Sequence, residues 1–150
     1  MSNRKFSPQT GLASALAVEM RTIIRRLKQR LREHGGSYDL KPSQISVLLR
    51  LEKDGSATVS TLARAEGMRP QSMSAVVMSL EEVGLVSGAP DPNDGRKTLM
   101  SLTPRCLKYL QDGRAARQDW LTTNISQKFS AQEKETLRQA LQLLTRLADE

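Results

Sequence analysis

A chain of 150 residues, 38% hydrophobic and 26% charged, is long enough for one globular domain with an appended helical arm. Its single Cys excludes an internal disulfide and, with a single His, argues against a zinc site, which draws ligands mainly from these two types. Lys and Arg number 23 against 16 Asp and Glu, and the net charge of +7 points to an anionic partner, either nucleic acid or an anionic membrane surface.

No apolar run approaches the roughly 18 residues of a membrane span. The polar stretch Met1 to Thr10 leads into no signal-peptide core. The expectation is a cytoplasmic protein in a reducing compartment. The charge is uneven: residues 1–40 carry +5, residues 41–89 are neutral, and residues 90–105 and 106–150 carry +1 each. A nucleic-acid contact must therefore come from the placement of individual cations rather than from a general basic flood.

The first predicted element is a long amphipathic helix over 11–34, in which Leu16, Met20, Ile23, Ile24, Leu27 and Leu31 recur three and four apart. Gly35-Gly36 ends it in the manner of glycines past a helix C-terminus. A second helix spans 42–53, with Pro42 at its first position and Ile45, Leu48, Leu49 and Leu51 facing inward. Thr58 caps a short third helix carrying Val59, Leu62 and Ala63, which Glu66-Gly67 closes. A fourth starts at Arg69-Pro70, buries Met73, Val76, Leu80 and Val83, and ends at Gly84. Its residues Gln71, Ser72, Ala75, Met78 and Ser79 point elsewhere.

The period then changes. A strand begins at Leu85-Val86, the run from Pro90 to Gly95 is dense in turn formers, and Lys97 to Leu102 reads as the returning strand. Thr103 caps the next helix, about 104–126, with Pro104 at its first position and Leu107, Leu110, Leu121 and Ile125 as apolar marks. Ser130 and Glu133 form a capping box for the last helix, whose seam is Leu137, Leu141, Leu144 and Ala148. The order is mainly α with one small β-hairpin. The short helix, turn and helix at 58–83 followed by the hairpin make a winged helix-turn-helix.

The segment from Asp91 through Asn93, Asp94, Gly95, Arg96 and Lys97 to Leu102-Thr103 resembles the wing of the MarR family of bacterial transcription regulators. The turn at Gly67 and the run Leu80-Glu81-Glu82-Val83-Gly84-Leu85-Val86 match that family as well. The resemblance covers about residues 11–150. It implies a homodimer built from terminal helices: residues 1–40 as N-terminal arm and dimerisation helix, 41–103 as the DNA-binding winged helix-turn-helix with its wing at 85–103, and 104–150 as C-terminal dimerisation helices. The apolar seams of the terminal helices agree, since a short winged helix alone cannot cover them all. Where relatives often carry Arg on the recognition helix this chain has Ala75 and Ser79. Where they carry a basic residue in the outgoing wing strand it has Ser87, Gly88 and Ala89, and Cys106 stands where a Gly is usual after Leu-Thr.

As a family member the chain is expected to bind a double-stranded, pseudo-palindromic DNA operator. It is expected to act as a repressor released by a small effector, often a phenol or aromatic acid, with no cofactor and no membrane partner. Arg69, Gln71, Ser72 and Ser74 are the candidates for base edges in the major groove, because Gln matches an adenine edge and Arg a guanine edge. Arg96, oriented by Asp94, is the candidate for the minor groove, where narrow A·T stretches attract Arg. Arg64, Lys97 and Arg105 are candidate phosphate contacts.

Three other readings stand beside this one. A thiol redox sensor would use Cys106, whose place at a helix start favours the thiolate. A winged-helix protein–protein adaptor would bind no DNA. An enzyme would need more than Asp91, Asp94 and Glu81-Glu82, which no Gly-rich phosphate loop, Ser-His-Asp set or HExxH pattern accompanies.

Overall fold

The computed structural model describes residues 8–36 and 38–149, so the first seven residues of the N-terminal arm lie outside the described residues. The elements in order are α1 (Pro8–Glu33), α2 (Pro42–Asp54), α3 (Val59–Glu66), α4 (Pro70–Glu82), β1 (Val86–Pro90), β2 (Thr98–Leu102), α5 (Pro104–Lys128) and α6 (Ala131–Ala148). They form two compact units. Residues Gly36–Gly113 make one; α1, the part of α5 from Arg114 onward, and α6 belong to the other. No helix among the described residues is long and apolar enough to cross a membrane.

The core of the Gly36–Gly113 unit gathers Val47, Leu48 and Leu51 of α2, Leu62 and Ala63 of α3, and Met73, Val77 and Leu80 of α4. Leu85, Val86, Met100, Cys106 and Leu110 complete it. The strands pair antiparallel, Val86 opposite Leu102 and Pro90 opposite Thr98. Ala57 exchanges two backbone hydrogen bonds with Met100, of 3.1 and 2.8 Å, which tie the start of α3 to the hairpin. The caps are those the sequence announces. Thr58 Oγ1 accepts from Thr61 N at 3.2 Å, and Thr103 Oγ1 accepts from Cys106 N at 3.2 Å while donating to Gly84 O at 2.7 Å. Ser130 and Glu133 complete a reciprocal box on α6.

Several details differ from the sequence reading. Helix α1 begins at Pro8 rather than residue 11 and α5 runs on to Lys128. In α2 Val47 joins the expected Leu48 and Leu51 in the core, while Ile45 is half-buried and Leu49 is 45% exposed. In α4 Val77 joins Met73 and Leu80, with Val76 half-buried and Val83 largely outside. The strand starts at Val86, with Leu85 fully buried in the turn before it. Gly35 and Gly36 do not adopt the left-handed conformation of a helix-ending glycine. Gly36 is required for close approach, since a Cβ there would lie 2.7 Å from Tyr109 Oη. Gly35 is buried against Arg117, whose Nη1 donates to its carbonyl at 3.4 Å.

In the other unit no residue of α1 or α6 is buried. Leu12, Leu16, Ile23, Ile24 and Leu27 of α1 and Leu141, Leu143, Leu144 and Leu147 of α6 are all exposed. His34, just past the end of α1, is exposed and stacks on Trp120 of α5 with ring centroids 5.0 Å apart.

Candidate nucleic-acid interface

The turn between α3 and α4 is made by Gly67 at φ 64, a left-handed position that glycine adopts without steric cost. Its N–H bonds back to the carbonyls of Ala63 and Arg64, and Met68 N donates to Ala63 O at 2.9 Å. Arg69 follows in an extended conformation as the N-cap residue of α4, with Pro70 at the first helical position. The angle between α3 and α4 is thus set by backbone bonds and by Leu62, Met73 and Leu80 packed in one core.

A polar network braces α3 from below. Arg50 Nε of α2 donates to Glu66 Oε1 at 2.8 Å, and Ser46 Oγ donates to Glu66 Oε2 at 2.8 Å. The Arg50 hydrogen bond, then that of Ser46, hold the Glu66 carboxyl below the usual glutamate range. A carboxylate with a lowered folded value contributes stability above its unfolded pKa of about 4.3 and loses it as pH falls through the folded value. Glu66→Gln is therefore expected to lower the urea midpoint at pH 6, with the gap to wild type closing toward pH 3. A gap that stays constant with pH would contradict this role.

At the wing tip, Asp91 Oδ1 accepts from Asn93 N at 2.8 Å and Asp91 N donates to Lys97 O at 2.9 Å, closing the turn. Asp94 Oδ1 accepts from both the backbone N and the Nε of Arg96, at 3.2 and 3.3 Å. The Arg96 side chain is nevertheless 93% exposed. Its guanidinium is thus held at its root and free at its end.

The structure brings some of the expected residues together. Arg64, Arg96 and Lys97 line one open groove of about 720 Å³ between the α3 segment and the wing. The sequence reading missed its hydroxyl lining, Ser56, Thr58, Ser60 and Thr61; the signal was a run of Ser and Thr around a helix start, which looks like capping alone. Arg69, Gln71 and Ser72 are exposed at the start of α4, and Ser74 is half-buried. Arg105 does not line that groove; its guanidinium lies over the Tyr38 ring, 5.8 Å from the centroid. Ser79 is occupied within the fold: it accepts from Gln44 Nε2 at 2.9 Å and donates to Val76 O at 2.6 Å.

Cys106 is fully buried. Burial, with a smaller contribution from Glu52, pushes its thiol up to about 11, away from the reactive thiolate. Cys106→Ser is expected to leave DNA binding before and after peroxide unchanged, and loss of a wild-type peroxide response in that variant would restore the redox reading.

Two helices joined at a fixed turn, an exposed face on the second, and a two-stranded wing with a cation at its tip define a winged-helix DNA-binding protein. The MarR family profile matches residues 38–97. An HTH-type transcriptional regulator of Mycobacterium bovis is 36% identical over 135 residues, covering 90% of this chain and 94% of the relative. The crystal structure of a transcriptional regulator from Pseudomonas aeruginosa is 32% identical, covers 92% of this chain and 97% of its own, and superposes with a TM-score of 0.77. A MepR variant of S. aureus bound to an oligodeoxyribonucleotide shares the fold at 22% identity, with a TM-score of 0.72 and coverage of 88% and 97%. The chain belongs to the MarR family of DNA-binding transcriptional regulators.

Proposed function

We propose that this regulator is a homodimeric repressor that binds a pseudo-palindromic operator through two winged helices and is released by a small ligand. The observation that carries the DNA part is the wing tip, where Asp94 fixes the root of Arg96 and leaves its guanidinium in solvent. An Arg so held loses less freedom when it enters a narrow minor groove. The exposed start of α4 then offers Arg69, Gln71, Ser72 and Ser74 to base edges in the major groove. Arg64 and Lys97 meet phosphates along the groove between α3 and the wing, with Arg105, exposed at the start of α5, as a further phosphate contact. Two-fold symmetry places the half-sites about 10 bp apart. The oligonucleotide carried by the MepR variant is in keeping with this use of the fold.

The dimer is supported by α1 and α6, along which Leu16, Ile23, Ile24, Leu27, Leu141 and Leu144 stay exposed among the described residues. The ligand is supported by a groove of about 580 Å³ in which Trp120, Arg26, Arg30 and Lys128 stand beside Glu33, which pairs with Arg30 at 3.5 Å; the surplus of positive charge next to an indole suits an aromatic acid. A ligand acts here by favouring a dimer geometry that no longer fits DNA. Light scattering, followed by calorimetric titration with a panel of phenolic acids, tests both parts. The expected result is twice the chain mass of 16.7 kDa and saturable binding of at least one acid that lowers DNA affinity. A monomer, or no binding across the panel, would contradict the corresponding part.

A further inference from the structure

The side of α4 that faces away from the core has an unusual chemistry for a DNA-reading helix. At 3.6 residues per turn, Gln71, Ala75, Met78 and Glu82 fall on one line opposite the buried Met73, Val77 and Leu80. Gln71, Ala75, Met78 and Glu82 are all exposed, Met78 to 61%. From Pro70 to Glu82 the helix carries no Lys or Arg. Ser79 on the flank is already engaged with Gln44 and with the Val76 carbonyl. Laid in a major groove, this line offers one amide, one methyl and one thioether chain before it reaches a carboxylate.

The major-groove edges of the bases present hydrogen-bonding groups and one apolar group, the 5-methyl of thymine. A thioether is only a weak acceptor toward the former and loses hydration favourably against the latter. Its unbranched, flexible geometry also tolerates small differences in approach. Met78 lies about 10 Å along the helix from Gln71, or roughly three base-pair steps of 3.4 Å. The two side chains thus address different base pairs.

We propose that Met78, with Ala75 beside it, reads thymine 5-methyl groups in the operator and is a specificity-determining residue of this chain. The proposal rests on the major-groove placement of α4 given above. It adds apolar readout along α4, whose span Pro70–Glu82 carries no Lys or Arg, to the polar contacts offered by Arg69, Gln71, Ser72 and Ser74.

The test uses a duplex that the full-length protein recovers from a random-sequence pool, synthesised once with thymidine and once with deoxyuridine, so that the two differ only in the methyl groups. Wild type is expected to bind the deoxyuridine form about fourfold more weakly per methyl contacted, which is about fifteenfold for one methyl in each half-site. Met78→Ala, at an exposed site, should bind the thymidine form as weakly as wild type binds the deoxyuridine form and should hardly distinguish the two. Met78→Leu should keep most of the discrimination. Equal binding of both forms by wild type, or an unchanged ratio in Met78→Ala, overturns the proposal while leaving the major-groove placement intact. Recovery of no duplex at all overturns that placement and this inference with it, and leaves a protein partner as the occupant of the α4 face.

Discussion

Arg96→Ala is expected to weaken operator binding at least tenfold, about 1.4 kcal/mol. The guanidinium is 93% exposed, and its contacts among those described are the Asp94 bonds at its root, so its removal takes nothing from the core. The turn itself is closed by backbone groups of Asp91, Asp94 and Lys97 and survives the change. The whole effect therefore falls on binding. A minor-groove Arg gains from the enhanced negative potential of a narrow A·T stretch, and a symmetric dimer loses two such contacts at once. Arg96→Lys should recover part of the loss, because it restores the charge without the planar donor that Asp94 orients. A gel-shift titration with thermal melting as control separates these outcomes. Unchanged affinity in Arg96→Ala would remove the wing tip from recognition.

Leu62→Ala is expected to destabilise the Gly36–Gly113 unit by about 2–5 kcal/mol. Leu62 is fully buried on α3, in the cluster that also holds Leu48 of α2 and Met73 and Leu80 of α4. Truncation there removes apolar area and leaves a cavity under the turn at Gly67, and Gly67 cannot restore the angle alone. For a domain of this size each kcal/mol corresponds to roughly 4–8 °C in Tm, so a melting curve should move by about 10 °C or more. DNA affinity should fall with it, since α4 is positioned through α3. Leu49→Ala is the matched control: that residue is half exposed, and its loss should cost under about 1 kcal/mol. A Leu62→Ala protein that melts like the Leu49→Ala control would contradict the core as described.

Element order, wing and caps were legible in the sequence because each rests on local chemistry. Thr58, Thr103 and the Ser130–Glu133 pair satisfy helix N-termini within three residues of themselves. Gly67 makes a left-handed turn that few other residues accept. The faces of α2 and α4 were read less well, since adjacent apolar residues admit two helical faces. Val47, Leu48, Leu49 and Leu51 form one such run and Val76-Val77 another, and only the packed partner decides between them.

What the sequence hid was non-local. Ser79 reads as an outward residue of α4 in the sequence, whereas Gln44, thirty-five positions earlier, donates to its hydroxyl. Arg105 is exposed, and the structure adds that its guanidinium lies over the Tyr38 ring. Helix α1 does stop before Gly35-Gly36, but without a left-handed glycine, and the close approach of Tyr109 to Gly36 was not legible. The apolar seams of α1 and α6 are visible as periodicity, and the structure adds that, among the described residues, neither helix has a buried side chain.

The most direct measurement is fluorescence anisotropy of the purified protein on DNA from immediately upstream of its own coding sequence, against a scrambled duplex, at two salt concentrations. Tight binding to the upstream fragment is expected, with the scrambled duplex bound much more weakly. The salt dependence should be shallower than that of a winged helix with Lys or Arg along its recognition helix, because α4 carries neither. Equal and steeply salt-sensitive binding to both duplexes would contradict recognition by α4 and the wing.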